Sequence, residues 1–215
     1  MAFSGWPEDA LDFYDGLEAD NSKAYWTSHR QTYEEQVLGP MTELLEELSA
    51  EYGAAKIFRP YRDIRFSKDK SPYKTAIGAR IGDGYVQLSA RGLAAGNGMY
   101  VMAPDQLERY RLAVAHDVTG PQLERVIAAV RAGDIDVQGR DKLKSAPRGY
   151  PADHPRIELL RSKGLVAWKE WPVQDWLATP AAGEHVREFL VGTQPLADWL
   201  ADHVGLSELS ESRRR

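Results

Sequence analysis

Not one of the 215 residues is a cysteine, which excludes disulfides, thiolate nucleophiles and cysteine metal centres. Long apolar runs are missing too, and no stretch approaches the roughly 20 apolar residues that a spanning helix needs. The opening segment, MAFSGWPEDALDFYDGL, lacks the basic-then-apolar pattern of a secretory leader. A soluble, cytoplasmic protein with no membrane partner is expected. The common catalytic signatures are absent as well: there is no G-x-S-x-G, no phosphate-binding P-loop and no G-x-G-x-x-G behind a strand. His29, His116, His185 and His203 are dispersed without H-E-x-x-H spacing, so neither a metal nor a cofactor is expected. Cations are outnumbered, 27 Lys and Arg against 32 Asp and Glu for a net charge of −5. A dedicated non-specific nucleic-acid binder usually shows the opposite balance.

What is present describes a folded chain, with 43% hydrophobic and 10% aromatic residues. One α+β domain over residues 1–205 is expected, followed by a frayed tail at 206–215. Residues 7–52 carry the helical period, with Ala10, Phe13, Tyr14 and Leu17 on one face and Met41, Leu44, Leu45, Leu48 and Tyr52 on another. Between them a helix enters through Asn21 or Ser22, Gly39-Pro40 marks a break, and Gly53 closes the run. The period then changes to two. Strands are read at 56–66, 76–82, 85–90 and 98–103, with a hairpin at GDGY, 82–85, and a loose glycine-rich connection at RGLAAGNG. Helices return at 104–116 and 119–131, the second with capping-box spacing from Thr119 to Gln122. A polar loop at 133–154, a short helix near 155–163, a strand near 165–171 and two helices broken at Pro195 complete the reading. Helices, a meander, then helices indicate an antiparallel β-meander with N-terminal and C-terminal helices packed on it.

Charge is segregated along this frame. Residues 58–74, FRPYRDIRFSKDKSPYK, hold six Lys or Arg against two Asp, and residues 140–170 hold eight against four acids. Strand alternation would place Arg59, Tyr61, Asp63, Arg65, Arg80, Gln87 and Ser89 on one polar sheet face. Ser71-Pro72 has the form of a helix start, whose free N–H groups would attract an anion. The candidate ligand-binding residues are therefore Arg59, Arg65, Lys68, Lys70, Lys74, Arg80, Gln87, Ser89 and Arg148, and Asp63 and His154 are the catalytic candidates. Trp168, Trp171, Trp176 and Trp199 read as core packing.

Three blocks, NSKAYWTSHRQTYEE, YRDIRFSKDKSPYKTAIGA and LKSAPRGYPADHPRIELLRSKGLV, resemble in order and spacing the uncharacterised bacterial and fungal family catalogued as domain of unknown function 2461. The resemblance covers about residues 6–200 and implies an α+β cytoplasmic protein without an assigned reaction. It carries over onto Trp26, Arg30, Tyr33, Arg62, Asp63, Arg65, Phe66, Lys68, Asp69, Lys70, Ser71, Pro72, Tyr73 and Lys74, and onto Pro147, Arg148, Gly149, Asp153, His154 and Pro155. The chain departs from the pattern at Ala76, Ser162 and Leu165.

Three readings follow. The first is an anionic ligand, phosphate- or carboxylate-bearing, held at a basic turn between strand and helix where RFSKDKSPYK meets PRGYPADHP, with enzymatic activity left open. The second is a nucleic-acid or acidic-protein binding module that uses Tyr61 and Tyr73 for stacking. The third is a purely structural salt-bridged cluster that pins the turn to the acidic helices. Oligomeric state is left open.

Overall fold

The computed structural model describes residues 2–65 and 67–209. Its strands form one antiparallel sheet of order β1-β2-β3-β4-β6-β5: β1 Ala55–Ile57, β2 Ala76–Ile81, β3 Gly84–Ser89, β4 Gly92–Met99, β5 Asp136–Arg140 and β6 Gly164–Trp171. The expected α+β meander with helices before and after it is present. The chain divides into two compact units, residues 1–95 with 170–188, and residues 96–169 with 189–215. No helix among the described residues is long and apolar enough to cross a membrane.

The first unit begins with α1 Glu8–Ala19, where Glu8 and Asp9 complement the dipole of the first turn and Ala10, Phe13, Tyr14 and Leu17 are buried. Helix α2, Lys23–Ser28, is capped by the Ser22 hydroxyl, which accepts from the Tyr25 N–H at 3.1 Å. A short α3, Arg30–Thr32, a π-helical turn at Tyr33–Leu38 and α4, Gly39–Tyr52, then follow without the break expected at Gly39-Pro40. Pro40 brings no N–H, and the helix upstream accommodates this by widening to the π turn rather than by ending. Gly53, at φ 87°, is the C-cap.

The β2–β3 hairpin pairs Ile77 with Leu88 and Ala79 with Val86, a register two residues away from the one that strands at 76–82 and 85–90 imply, with the same residues on each face. These side chains and Ile81 are buried, so the apolar face is the predicted one. Its turn is Gly82-Asp83, and the positive φ, 54°, falls on Gly82. The strand expected at 56–66 stops at Ile57, and the described residues between it and β2 are irregular apart from a bridge between Tyr61 and Tyr73. Phe66, read as a core anchor, lies outside the described residues. No helix follows Ser71-Pro72; those residues lead through the Tyr73 bridge into β2. The basic turn therefore connects two strands. Likewise β4 occupies Gly92–Met99, not 98–103: six of its residues are buried, four of them glycine or alanine, and these suit a close-packed position despite low strand propensity.

In the second unit α5, Pro104–Ala115, and α6, Thr119–Ala132, end within one residue of the expected bounds, and Tyr110, Val114, Leu123, Ile127 and Val130 are buried. Thr119 is no cap: its hydroxyl donates to the Ala113 carbonyl at 2.5 Å and Val118 holds the N-cap position. β5 lies inside the segment read as a loop, and α7 spans Ile157–Leu160. Trp199 is buried. The final helix, α8 Ala181–His203, runs unbroken with Pro195 inside it. One lost backbone bond at Pro195 is outweighed by buried Thr193, Leu196, Ala197, Trp199 and Leu200 on either side of it.

Candidate functional site

The residues between β1 and β2 fold back over the polar face of the hairpin and make one wall of a cleft in the first unit. Two backbone bonds close the base of this excursion: the Arg62 N–H donates to Pro72 O at 2.9 Å and the Lys74 N–H to Pro60 O at 2.8 Å. Asn21 holds the same place from the helical side. Its Nδ2 donates to Tyr73 O at 3.1 Å, and its Oδ1 accepts from the Tyr73 N–H at 3.0 Å. The Tyr73 ring is buried and lies almost parallel to Trp26, with centroids 4.4 Å and planes 7° apart. Tyr73 is thus unavailable to stack on a base, which removes one of the two platforms of the nucleic-acid reading.

Within the excursion the charges are organised locally. Asp69 accepts from the Ser71 N–H at 2.9 Å and the Ser71 hydroxyl at 2.6 Å, and pairs with Arg62. These bonds hold its carboxyl well below the usual range, with the Ser71 hydroxyl contributing most. Asp63 is bidentate to Arg65, at 2.9 Å from Nε and 2.7 Å from Nη2. Lys70 donates to Ile64 O at 3.0 Å. Both ion pairs close on the segment itself and not on the acidic helices, as the structural reading had them. Exposed pairs of this kind contribute only about 0–1 kcal/mol.

The Arg65 hydrogen bonds lower the Asp63 carboxyl to about 2. The folded value lies below the unfolded one of about 3.9, so the contribution of this pair is complete above that pH and is lost as pH falls through about 2. A carboxyl titration followed by NMR is expected to show the Asp63 midpoint near 2 in the native chain and back in the ordinary range in Arg65→Gln. A native midpoint near 4 would refute the assignment.

The cleft has a volume of about 680 Å³, within the roughly 300–1,000 Å³ usual for small-molecule sites. Ala76, Gly78, Tyr85, Gln87 and Ser89 make its floor, while Phe58, Arg62, Lys74, Thr75 and Arg91 stand around it and Glu18 and Asn21 reach it from the end of α1 and just beyond. A Cβ on Gly78 would sit 2.3 Å from the Tyr85 hydroxyl, so the absent side chain is what lets that ring lie across the floor. Tyr85 Oη donates to Gln87 Oε1 at 2.9 Å, which leaves the Gln87 amide N–H groups to face the cleft as donors. The Ser89 oxygen accepts from the Arg91 N–H at 3.2 Å, and its own proton has no acceptor among the described residues. Lys74 is half-buried and has no carboxylate partner among the described residues; its Nζ lies 5.6 Å from the centre of the Phe58 ring. Burial, and then the nearby Arg59, lower its pKa.

Three of the expected ligand-binding residues, Lys74, Gln87 and Ser89, line this cleft. Arg59, Arg65, Lys68, Lys70 and Arg80 do not line it, and their side chains are exposed. Because the extended alternation ends at Ile57, Arg59, Tyr61, Asp63 and Arg65 do not share a sheet face with Arg80, Gln87 and Ser89. Arg148, in the second unit, is exposed on a turn closed by the Tyr150 N–H to Pro147 O at 3.2 Å. His154 serves a local turn: its Nδ1 accepts from the Arg156 N–H at 3.0 Å and its carbonyl from the Ile157 N–H at 2.9 Å. Phe58, Thr75, Tyr85 and Arg91 were not singled out from sequence, although hairpin alternation already places Tyr85 beside Gln87 and Ser89.

A second cleft, of about 630 Å³, lies in the second unit between α6, β5 and α7. Its charges are engaged: Arg156 pairs with Glu124 at 3.7 Å, Lys142 with Glu158 at 3.3 Å, and Arg131 donates to Val137 O at 2.7 Å. That difference places the candidate site in the first unit. A family model described as "Conserved hypothetical protein (DUF2461)" matches residues 9–199. No curated protein matches the chain, and no solved structure does.

Proposed function

The chain belongs to the DUF2461 family, whose description names no reaction, and on that footing we propose that the first-unit cleft binds an anionic, phosphate- or carboxylate-bearing small molecule through Lys74. The observation that carries this reading is Lys74 itself, a half-buried cation without a carboxylate partner among the described residues, standing over a floor of hydrogen-bond donors. Burying an ammonium without compensation is costly, and an anion in the cleft would supply the missing charge. The Ser89 hydroxyl, the Gln87 amide and the Arg91 guanidinium would serve the remaining acceptor oxygens. Arg62 is already occupied by Asp69 and contributes positive potential more than a free fork.

A thermal-shift series with inorganic phosphate, pyrophosphate and citrate tests the reading. A ligand at one hundred times its Kd stabilises by about 2.7 kcal/mol, a rise of about 5–10 °C for a chain of this length. At least one anion is expected to give such a rise, Lys74→Glu to abolish it, and Lys68→Glu, outside the cleft, to leave it intact. No rise with any anion, or one that survives Lys74→Glu, overturns the proposal.

A further inference from the structure

The geometry points to a nucleoside monophosphate as the ligand class of this cleft, its phosphate at Lys74 and its base lying against Phe58. The inference rests on the anion-binding reading above and extends it to the body of the ligand. An inorganic anion would fill only a small part of about 680 Å³, so the cleft is shaped for something attached to the anion. The surroundings of Lys74 indicate what that is. Phe58 is 38% exposed, a large apolar ring left in the wall of a cleft that is otherwise mainly polar. It stands on a defined support: its N–H donates to Gly78 O at 2.9 Å, and its ring centre is 6.3 Å from that of Tyr85, with planes 35° apart.

A cation and a partly exposed aromatic ring therefore occur together in one wall, with Lys74 Nζ over the Phe58 ring at 5.6 Å from its centre and 38% of Phe58 still open to solvent. Every base has a π-face, and stacking on an aromatic side chain is largely indifferent to which base is present. A ribose joining base to phosphate brings hydroxyl donors, and Glu18, which reaches the same cleft, is an acceptor without an ion pair among the described residues. Cation, ring and carboxylate thus correspond to the phosphate, the base and the sugar hydroxyls. A simple dicarboxylate would use the first of these and leave the other two idle.

Calorimetric titration with adenosine monophosphate, ribose 5-phosphate and inorganic phosphate separates the two levels of the claim. Adenosine monophosphate is expected to bind at least tenfold more tightly than ribose 5-phosphate. Phe58→Leu, which keeps an apolar side chain beside Lys74, should remove that advantage with a smaller change for ribose 5-phosphate, and Phe58→Tyr should retain it. Lys74→Glu should weaken all three ligands. Equal binding of the nucleotide and the sugar phosphate, or an equal loss of both in Phe58→Leu, overturns the base-stacking inference and leaves the anion site standing. Binding that is absent for all three, or indifferent to Lys74→Glu, refutes the anion site and the inference with it.

Discussion

Trp26→Ala lowers the free energy of unfolding by about 3–5 kcal/mol, the range for deleting a large buried aromatic side chain. The indole is 6% exposed and touches four rings: Tyr73 at 4.4 Å, Tyr33 at 4.8 Å, Phe13 at 5.8 Å and Tyr61 at 6.0 Å between centroids. Two of these, Tyr61 and Tyr73, form the bridge at the base of the cleft wall. The substitution is therefore expected also to weaken the proposed anion binding, because the wall carrying Lys74 loses the ring against which it is stacked. Trp26→Phe keeps an aromatic partner for Tyr73 and should recover more than half of the lost stability. Urea denaturation of the three proteins decides the matter, and a loss below about 1 kcal/mol in Trp26→Ala would show that the stack is not a main support.

Arg156→Ala is expected to cost about 2–4 kcal/mol, although nothing in sequence marks this arginine as special. Its side chain is 8% exposed. Nε donates to Val114 O at 2.6 Å and Nη2 to Ala115 O at 3.1 Å, so the guanidinium satisfies carbonyls at the end of α5 that have no helical partner. Alanine leaves those carbonyls buried and unpaired, at about 1–3 kcal/mol each before any relaxation. Arg156→Lys supplies one ammonium in place of a fork and should fall between the two. Gly120 belongs to the same arrangement, since a Cβ there would lie 2.4 Å from Arg156 Nε and 2.3 Å from Val114 O. Gly120→Ala should cost less in the Arg156→Ala background than in the native chain, and strict additivity in a double-mutant cycle would disprove the coupling.

The helices and the hairpin were legible because burial imposes a period: α1 buries Ala10, Phe13, Tyr14 and Leu17, and α4 buries Met41, Leu44, Leu45 and Leu48 of the face that the spacing selects. β5 was not, since Asp136-Val137-Gln138-Gly139-Arg140 buries only Val137 and shows no apolar alternation. The over-long first strand has a related cause. In sequence Ile64 and Phe66 alternate with Asp63 and Arg65 in a way that imitates a two-residue period, whereas the backbone of the described residues there is held by Asp69, Lys70 and the Tyr61–Tyr73 bridge. Ser71-Pro72 carries the signal of a helix start, and the same pair serves a turn when Asp69 captures both the N–H and the hydroxyl of Ser71. For the site, Lys74, Gln87 and Ser89 of the residues read from sequence line the first-unit cleft, whereas Arg59, Arg65, Lys68, Lys70 and Arg80 do not. Density of positive charge selects Lys68, Lys70 and Arg65, while Lys74 differs in being half-buried without a carboxylate partner among the described residues, a property that depends on Phe58 and on a hairpin face contributed by residues further along the chain.

The first unit is assembled from two stretches, residues 1–95 and 170–188. Synthesis delivers the N-terminus first, so its early part waits for its late part. The Trp6 N–H, for example, donates to Leu177 O at 2.7 Å, and Gly5 packs against the backbone of Leu177–Thr179. A nascent chain halted before residue 170 holds Trp6 without the backbone acceptor that Leu177 supplies. The N-terminal segment is then docked only near the end of translation, and prematurely terminated products should be preferred substrates for chaperones and proteases.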